Sequence, residues 1–499
     1  MITSHGTKAG ITAKRLSHSA HKNIPDTPTK ISNFEPVYAG RLTQPNVAFG
    51  RQSLPMQQQL HIRNATVWTS STKGILPNTD VIIEQGKITQ IGQQLRTPTG
   101  FVQIDAKGQH LTPGFIDEHS HIAINGGVNE GSDAISAEVK IGDVINPDDI
   151  AIYRSLAGGV TTAQLLHGSA NPIGGQAQLI KLRWGENASG LKFANAPGTI
   201  KFALGENVKQ SNWGDKYTRR FPQTRMGVEA TFRHAFTQAQ DYLQRWQTYQ
   251  TLSPQQQQFQ ASPKLNYRLQ ALGEILQNQR DIHIHSYVQS EILMFLKLAQ
   301  SFNIQVSTFT HVLEGYKVAQ ELAAHGAGAS TFSDWWAYKF EVYDAIPQNT
   351  CLMQRHGVLT SINSDDDEMQ RRLNQEAAKS MMYCDMSPQD ALAMITINPA
   401  KQLGIEAQVG SIEIGKQADL VLWDQSPLSV YSKTLSVWVD GRQYFDRKAN
   451  QQETMALIKE RQALIQKILA SPQNRRDGET DNRPTEPRWQ CDTHYDAWH

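Results

Sequence analysis

An α/β chain built on parallel βα units is what this sequence predicts, and three observations predict it. Between residues 113 and 403, short β-branched or apolar runs (GVTTAQLLHG, GTIKFALGE, DIHIHSY, IQVSTFTHV, GAGASTF, GVLTSINSD) alternate with longer helical stretches such as EILMFLKLAQSF and GYKVAQELAAHG. That alternation over about 290 residues suits an eight-fold barrel with insertions, whose active site lies at the carboxyl ends of its strands. On either side, at 59–112 and 404–450, the texture changes to short strands that alternate apolar and polar residues between Gly, Asn and Pro: LHIRNATVW and DVIIEQGKITQIG before the barrel, GSIEIGKQADLVLWD and LSVWVDGRQYFD after it. Such segments read as half-buried antiparallel strands, and the two flanks are expected to share one sheet. The third observation is length, since 499 residues is roughly three domain-equivalents at about 150 residues each.

Three segments depart from this alternation. Residues 1–58 are rich in Ser, Thr, Pro and Gln without sustained periodicity and read as a polar, extended or disordered arm. Residues 229–275 read as a long helix pair around a polar loop that carries the QQQQ run at 255–258, a solvated excursion. Residues 451–499 are expected to be a C-terminal helix followed by a polar tail.

Composition narrows the function classes. Lys plus Arg number 48 against 47 for Asp plus Glu, so the net charge of +1 offers no field for nucleic acid, and no basic stripe is evident. No run of about 18 apolar residues is present, which argues against a membrane role, and the first thirty residues lack the apolar core of a secretory signal. As written the chain reads as cytoplasmic; a true start upstream would allow a periplasmic location. Cys351, Cys384 and Cys491 show no paired spacing, so neither a disulfide framework nor a cysteine-based zinc site is expected. A metal would be held by His and carboxylates.

Three motifs carry that chemistry. Asp117-Glu118-His119-Ser120-His121 follows the run LTPGFI, and residues two apart on a strand face the same way, so His119 and His121 present two imidazoles to one point. Taken alone, the pair fits two unrelated surface histidines equally well. The second motif is His283-Ile284-His285, with His311 about 26 residues later at the end of IQVSTFTHV. Both runs deliver a histidine where barrel strands deliver catalytic groups, and His285 and His311 are the natural pair; His283, one pleat earlier, is expected to pack lower in the barrel. The third is Asp365-Asp366-Asp367 at the end of a strand starting near Val358. Three carboxylates in a row are usually a solvated turn or helix start. Asp365, the first, is expected to point inward, bind metal and act as general base, with Asp366 as the fallback.

In this order the motifs LTPGFIDEHSH, the two later histidines, the Asp after the last strand and the closing NPAKQLGIEAQVGSIEIGKQADLVLWD resemble the amidohydrolase superfamily of metal-dependent hydrolases, over about residues 60–447. The nearest branch is the imidazolonepropionase-like group that also contains prolidase-type and other dipeptidases. The resemblance implies a TIM barrel carrying a small β-sandwich built from both flanks, and zinc or a similar divalent metal, one ion or two. Carried over by motif, it implies His119, His121, His285, His311 and Asp365 as metal ligands, with Asp365 also shuttling a proton. It further implies a bridging carboxylate on the fourth strand, supplied by a carboxylated Lys201 (in TIKFALGE) or by Glu206. The usual Gly pair after that strand is here Gly205-Glu206, a departure that leaves the metal count open.

The activity so implied is hydrolysis of a C–N bond in a cyclic amide or small peptide by metal-activated water. The alternatives are a deaminase acting on a ring amidine and a catalytically silent barrel used for binding, although all five expected ligand positions are occupied. The partner is a small-molecule substrate, and the resemblance allows a homo-oligomer. Candidate substrate contacts are Gln176 in the Gly-rich run NPIGGQAQ, Tyr287 beside His285, and Arg225 among the basic residues Lys209, Arg219 and Arg220 downstream of strand four, where a guanidinium would fork onto a carboxylate. A turn, packing and plain solvation are the competing readings of these three. The aromatic run TFSDWWAYKFEVYD is a candidate pocket wall.

Overall fold

The computed structural model describes residues 42–209, 220–335 and 338–470. Five strands come first: β1 (Leu60–Trp68), β2 (Ile75–Glu84), β3 (Lys87–Gly92), β4 (Val102–Asp105) and β5 (His110–Pro113). They are followed by β6 (Phe115–Ser120), β7 (Val160–Leu165), β8 (Ile173–Gln176), β9 (Gln178–Lys181) and β10 (Gly198–Ala203), and then by β11 (Arg280–Ser286), β12 (Val306–His311), β13 (Gly328–Thr331) and β14 (Thr360–Ile362). The last three are β15 (Leu420–Trp423), β16 (Thr434–Val439) and β17 (Arg442–Asp446).

Among the described residues these strands form three sheets. Strands β10 to β14 pair in parallel in chain order, and β8 adds to β10 antiparallel. Parallel neighbours need a crossover, and each step from β10 to β14 contains a helix that supplies it. In a second sheet β6 pairs parallel with β7, and β7 antiparallel with β9. The third sheet joins the flanks of the chain: β15 pairs antiparallel with β5, Leu420 opposite Pro113, in the order β17-β16-β15-β5-β1-β2-β3 with β4 alongside β1. A buried ion network fastens this sheet to β9, where Lys181 Nζ lies 2.9 Å from Asp419 and 2.5 Å from Asp440.

The helices form where an apolar stripe can be buried on the strands. In Gln289–Phe302, residues Ile292, Phe295, Leu296 and Ala299 are buried at helical spacing, and Asn303 in the left-handed region (φ 56°) ends the helix. The segment after β10 folds into the helices Arg225–Thr251, Pro254–Gln257 and Tyr267–Leu276, with the glutamine run beginning in the middle, one-turn helix. Its anchor is aromatic: Phe232 packs at 5.5 Å from Phe202 of β10 and edge-on at 4.9 Å from Phe295. Burying each such ring is worth about 1.5–3 kcal/mol. The stripe of the long helix ends at Tyr242, so its last turns stand clear of that core.

Two expectations are corrected. Cys351 and Cys384 form a disulfide, with Cα atoms 6.3 Å apart and a separation of 33 positions in sequence. The helices Asn349–Arg355 and Leu373–Cys384 flank β14 and pack together, a proximity invisible in linear spacing. The N-terminal arm is also not uniformly loose. Residues 1–41 lie outside the described residues, but residues 42–58 are docked: Phe49 stacks on Tyr153 at 4.8 Å, its carbonyl accepts from Trp184 Nε1 at 2.7 Å, and Gln58 N–H donates to Gly441 O. The C-terminal helix spans Arg447–Ala470, and the polar tail from 471 lies outside the described residues. No helix among the described residues is long and apolar enough to cross a membrane.

Candidate metal centre

Parallel register sets the level at which each candidate side chain leaves its strand. His285 of β11 stands opposite Ala203, the last residue of β10, and Ser286 stands opposite His311, the last of β12. Lys201 pairs with His283, one pleat below, and its long side chain reaches up to place Nζ 3.2 Å from His119 Nε2. His119 comes from the end of β6, His121 from just beyond it, and Asp365 from the turn after β14.

These residues converge. The Nε2 atoms of His119 and His121 both lie 3.0 Å from Asp365 Oδ1, and His311 Nε2 lies 3.7 Å from Asp365 Oδ2. Ring centroids of His285 and His311 are 4.5 Å apart, those of His119 and His311 4.9 Å. One donor atom each from His119, His311 and Asp365 fall within 4.8 Å of one another, and the 3.0 and 3.7 Å separations of the two imidazoles from the Asp365 carboxylate are short enough for a single ion with bonds of about 2.0–2.2 Å to bridge. All of these side chains are buried.

The donor set fits a divalent cation on two grounds. Neither ring nitrogen of the fully buried His311, nor Nδ1 of His119, has a hydrogen-bond partner among the described residues. An imidazole left so would forfeit about 1–3 kcal/mol per group, a cost that coordination removes. Protonation states agree. Burial first of all pushes His119 down to about 3 and holds His285 and His311 well below the ordinary imidazole value. Burial opposes ionisation of Asp365, but the surrounding imidazoles outweigh it and keep the carboxyl well below its usual range. Neutral imidazoles around an ionised carboxylate are the states a metal requires.

Backbone conformation at the centre is unusual. His311 (φ 65°), Val312 (φ 41°) and Asp365 (φ 48°) are non-glycine residues in the left-handed region, Val312 being β-branched. Fixed hydrogen bonds hold them there: Val312 N–H to Ser286 O at 2.7 Å, Asp365 N–H to His119 O at 2.9 Å, and Asn349 Nδ2 to Val312 O at 3.1 Å. Beside Asp365, Asp366 Oδ1 accepts from the N–H groups of Glu368 and Met369 at 2.6 and 2.8 Å, so its carboxylate is used in the turn that follows.

The structure treats the other candidates differently. Glu206 is engaged by Lys209 and Arg225, each at 2.8 Å, and is partly exposed. Arg225 is also 3.1 Å from Glu291 and 3.8 Å from Glu341, so three carboxylates surround it. Gly205 between them has φ 89°, and a Cβ there would meet the Glu341 carboxylate, so glycine is required at that turn. Gln176 lies opposite Ile200, a pleat below Phe202, because β8 runs down β10 antiparallel, and its Nε2 donates to Ala137 O at 2.9 Å. Tyr287 is fully buried at the centre, its ring 4.6 Å from His285 and 5.5 Å from His311. Arg219 lies outside the described residues. His283 sits below, its Nδ1 3.5 Å from Glu118, whose carboxyl burial pushes up to about 8. From the aromatic run, Phe332 stacks on His311 at 5.0 Å and Trp335 on Phe332 at 4.3 Å.

Sequence reasoning missed several buried polar residues around the candidate ligands. Ser169 Oγ is 2.9 Å from His285 Nδ1, orienting that ring. Asp117, which burial pushes up to about 7, accepts Ser364 Oγ–H at 2.6 Å. His167 accepts Glu130 N–H at Nε2 (2.8 Å) and bonds Gly168 O through Nδ1 (2.8 Å), fixing the neutral ring. A hydroxyl directly before the acid, as in Ser364-Asp365, is the one available hint in the sequence.

His167 yields a pH prediction. Burial lowers it from 6.5 to about 4, so the unfolded chain binds more protons between those values. Its contribution to stability is present above pH 6.5 and is lost as pH falls through the window, a total of about 3 kcal/mol. Urea unfolding between pH 7 and 4 should therefore show a shallower pH dependence for His167→Gln than for wild type; identical slopes would reject the assignment.

Known proteins agree with the pattern. Residues 349–445 match the model of the amidohydrolase family. Amidohydrolase tasK of Hapsidospora irregularis is 30% identical over 428 residues, covering 77% of this chain and 43% of that protein. An imidazolonepropionase of Shewanella sp. (strain ANA-3) is 40% identical over 76 residues, 15% of this chain and 19% of that protein. The chain thus spans less than half the length of these curated relatives. The crystal structure of an amidohydrolase from Thermotoga maritima MSB8 superposes with a TM-score of 0.71 at 30% identity, covering 78% of this chain and 100% of that one. The fold is accordingly an α/β architecture of the TIM-barrel type, and the chain belongs to the amidohydrolase superfamily.

Proposed function

We propose that this chain is a metal-dependent hydrolase that cleaves a C–N bond in a cyclic amide or a small peptide. The observation that carries this reading is the convergence of His119, His121 and His311 on the Asp365 carboxylate. In this reading these four residues and His285 would hold zinc or a similar divalent ion, and a carboxylated Lys201 would add a further carboxylate ligand and allow a second ion. Lys201 is preferred to Glu206 because it lies beside His119, whereas the Glu206 carboxylate is engaged by Lys209 and Arg225. The same placement favours a two-metal hydrolase over a one-metal deaminase.

A divalent ion in such a site supplies Lewis acidity, polarising a carbonyl oxygen and acidifying water. Asp365 takes the proton from the attacking water and delivers it to the leaving nitrogen. The surrounding imidazoles keep it ionised and so open to a proton, and its backbone is left-handed where the carboxylate meets the imidazoles. Tyr287, Phe332 and Trp335 wall the site and exclude bulk water, with Tyr287 the contact kept for substrate. Gln176 and Arg225 would need to exchange their present partners to bind it. We further read the two barrel sheets as one closed barrel and the flanking sheet as the core of a β-sandwich domain. The bonds from Asp365 N–H to His119 O and from Gln164 Nε2 to Thr199 Oγ1 (2.8 Å), which join the sheets at two places, support closure.

Metal content per chain, measured on protein purified without chelator, is expected to be two equivalents. Product analysis on a dipeptide and cyclic-amide library is expected to show carboxylate and amine products. Release of ammonia from ring amidines would favour the deaminase, and no bound metal after zinc reconstitution would overturn the reading.

A further inference from the structure

The metal centre is divided between two sheets. His119 and His121 hang from the end of β6, Asp365 follows β14, and no ladder pairs these two strands among the described residues. Strand register therefore does not set the distance between the two halves of the donor set. A buried seam does. Asp117 Oδ2 accepts Ser364 Oγ–H at 2.6 Å, and Asp117 Oδ1 accepts Ser364 N–H at 3.1 Å and His119 N–H at 3.4 Å. One carboxylate thus grips the backbone on both sides: the residue immediately before Asp365, and the metal-site histidine itself. Both Asp117 and Ser364 are fully buried. The next bond along the seam is Asp365 N–H to His119 O at 2.9 Å, and Asp366 N–H donates to Ser364 Oγ at 3.3 Å.

The seam also accounts for the backbone of Asp365. A left-handed aspartate persists only where its neighbours over-determine it. Here the preceding residue is fixed through side chain and N–H, and its own N–H is fixed to His119. We propose that Asp117, acting through Ser364, is a positioning residue that sets Asp365 against His119 and His121, and so governs metal affinity without touching the ion. The proposal rests on the reading that these three residues hold metal.

The test measures affinity for zinc alone by chelator competition, and the visible absorption of the cobalt-substituted protein, in wild type, Ser364→Ala, Asp117→Asn and the double variant. Ser364→Ala is expected to lower affinity by about 10–100-fold and to shift the cobalt bands, while circular dichroism shows a folded chain. Asp117→Asn, which is isosteric, serves if Ser364→Ala does not fold, and is expected to shift affinity and bands in the same direction. The double variant should bind about as weakly as the worse single one, because the two changes share the Asp117–Ser364 side-chain bond. A purely structural role would lower melting temperature and leave affinity and spectrum unchanged, and that result overturns the proposal, as do additive effects. No metal in the wild type would overturn this proposal and the functional reading together, whereas normal metal in wild type and variants alike would overturn this proposal alone.

Discussion

His119→Ala is expected to strip the protein of bound metal and abolish turnover while leaving the chain folded. His119 is the hub of the cluster: its Nε2 lies 3.0 Å from Asp365 and 3.2 Å from Lys201, and its ring is 5.2 Å from His121 and 4.9 Å from His311. Removing the imidazole deletes one ligand and also leaves the Asp365 carboxylate with less to offset its burial. Residues that only support ligands are worth about 10–100-fold in affinity, so losing a ligand should cost more than about 100-fold. The fold should survive, because the strand that carries His119 is held by its pairing with β7 and by the Asp117 seam, neither of which uses the ring. Metal analysis with circular dichroism on wild type and variant checks this; retained metal with normal turnover would remove His119 from the site.

What was legible in the sequence and what was not follow a physical division. His119 and His121 could be read as neighbours because strand periodicity is two, and His285, His311 and Asp365 because parallel strands of a βα array end at a common level. Local chain geometry alone brings such residues together. The seam could not be read, since Asp117 and Ser364 are 247 positions apart and meet only when β6 and β14 take their places in the fold. The Cys351–Cys384 disulfide was hidden for the same reason. Arg225 looked like an anion receptor as a bare basic residue after the fourth strand; Glu206, Glu291 and Glu341 come to it from three separate segments and occupy it. The Gly-rich run that carries Gln176 forms an antiparallel strand that places it at the level of Ile200, a direction that linear spacing does not show. Charge compensation and strand direction are properties of the assembled chain.

Asp365→Asn is the change that separates binding from chemistry. The amide keeps the shape of the side chain and one oxygen able to face the imidazoles, so metal is expected to remain. It cannot carry a proton from water to the leaving nitrogen, and the loss of a positioned general base costs about 10²–10⁴-fold in turnover. The neighbouring acid provides the internal control. Asp366 Oδ1 caps the N–H groups of Glu368 and Met369, a task that an asparagine oxygen also performs, so Asp366→Asn should leave turnover near wild type. The two carboxylates are one residue apart, yet Asp365 is fully buried among the histidines while Asp366 faces the following turn. Measuring kcat and metal content for both variants distinguishes them. Should Asp366→Asn be the damaging change and Asp365→Asn the silent one, the proton shuttle would belong to Asp366. Because Asp365 is the acid buried among the imidazoles, with its backbone held left-handed beside them, the opposite ranking is the expected one.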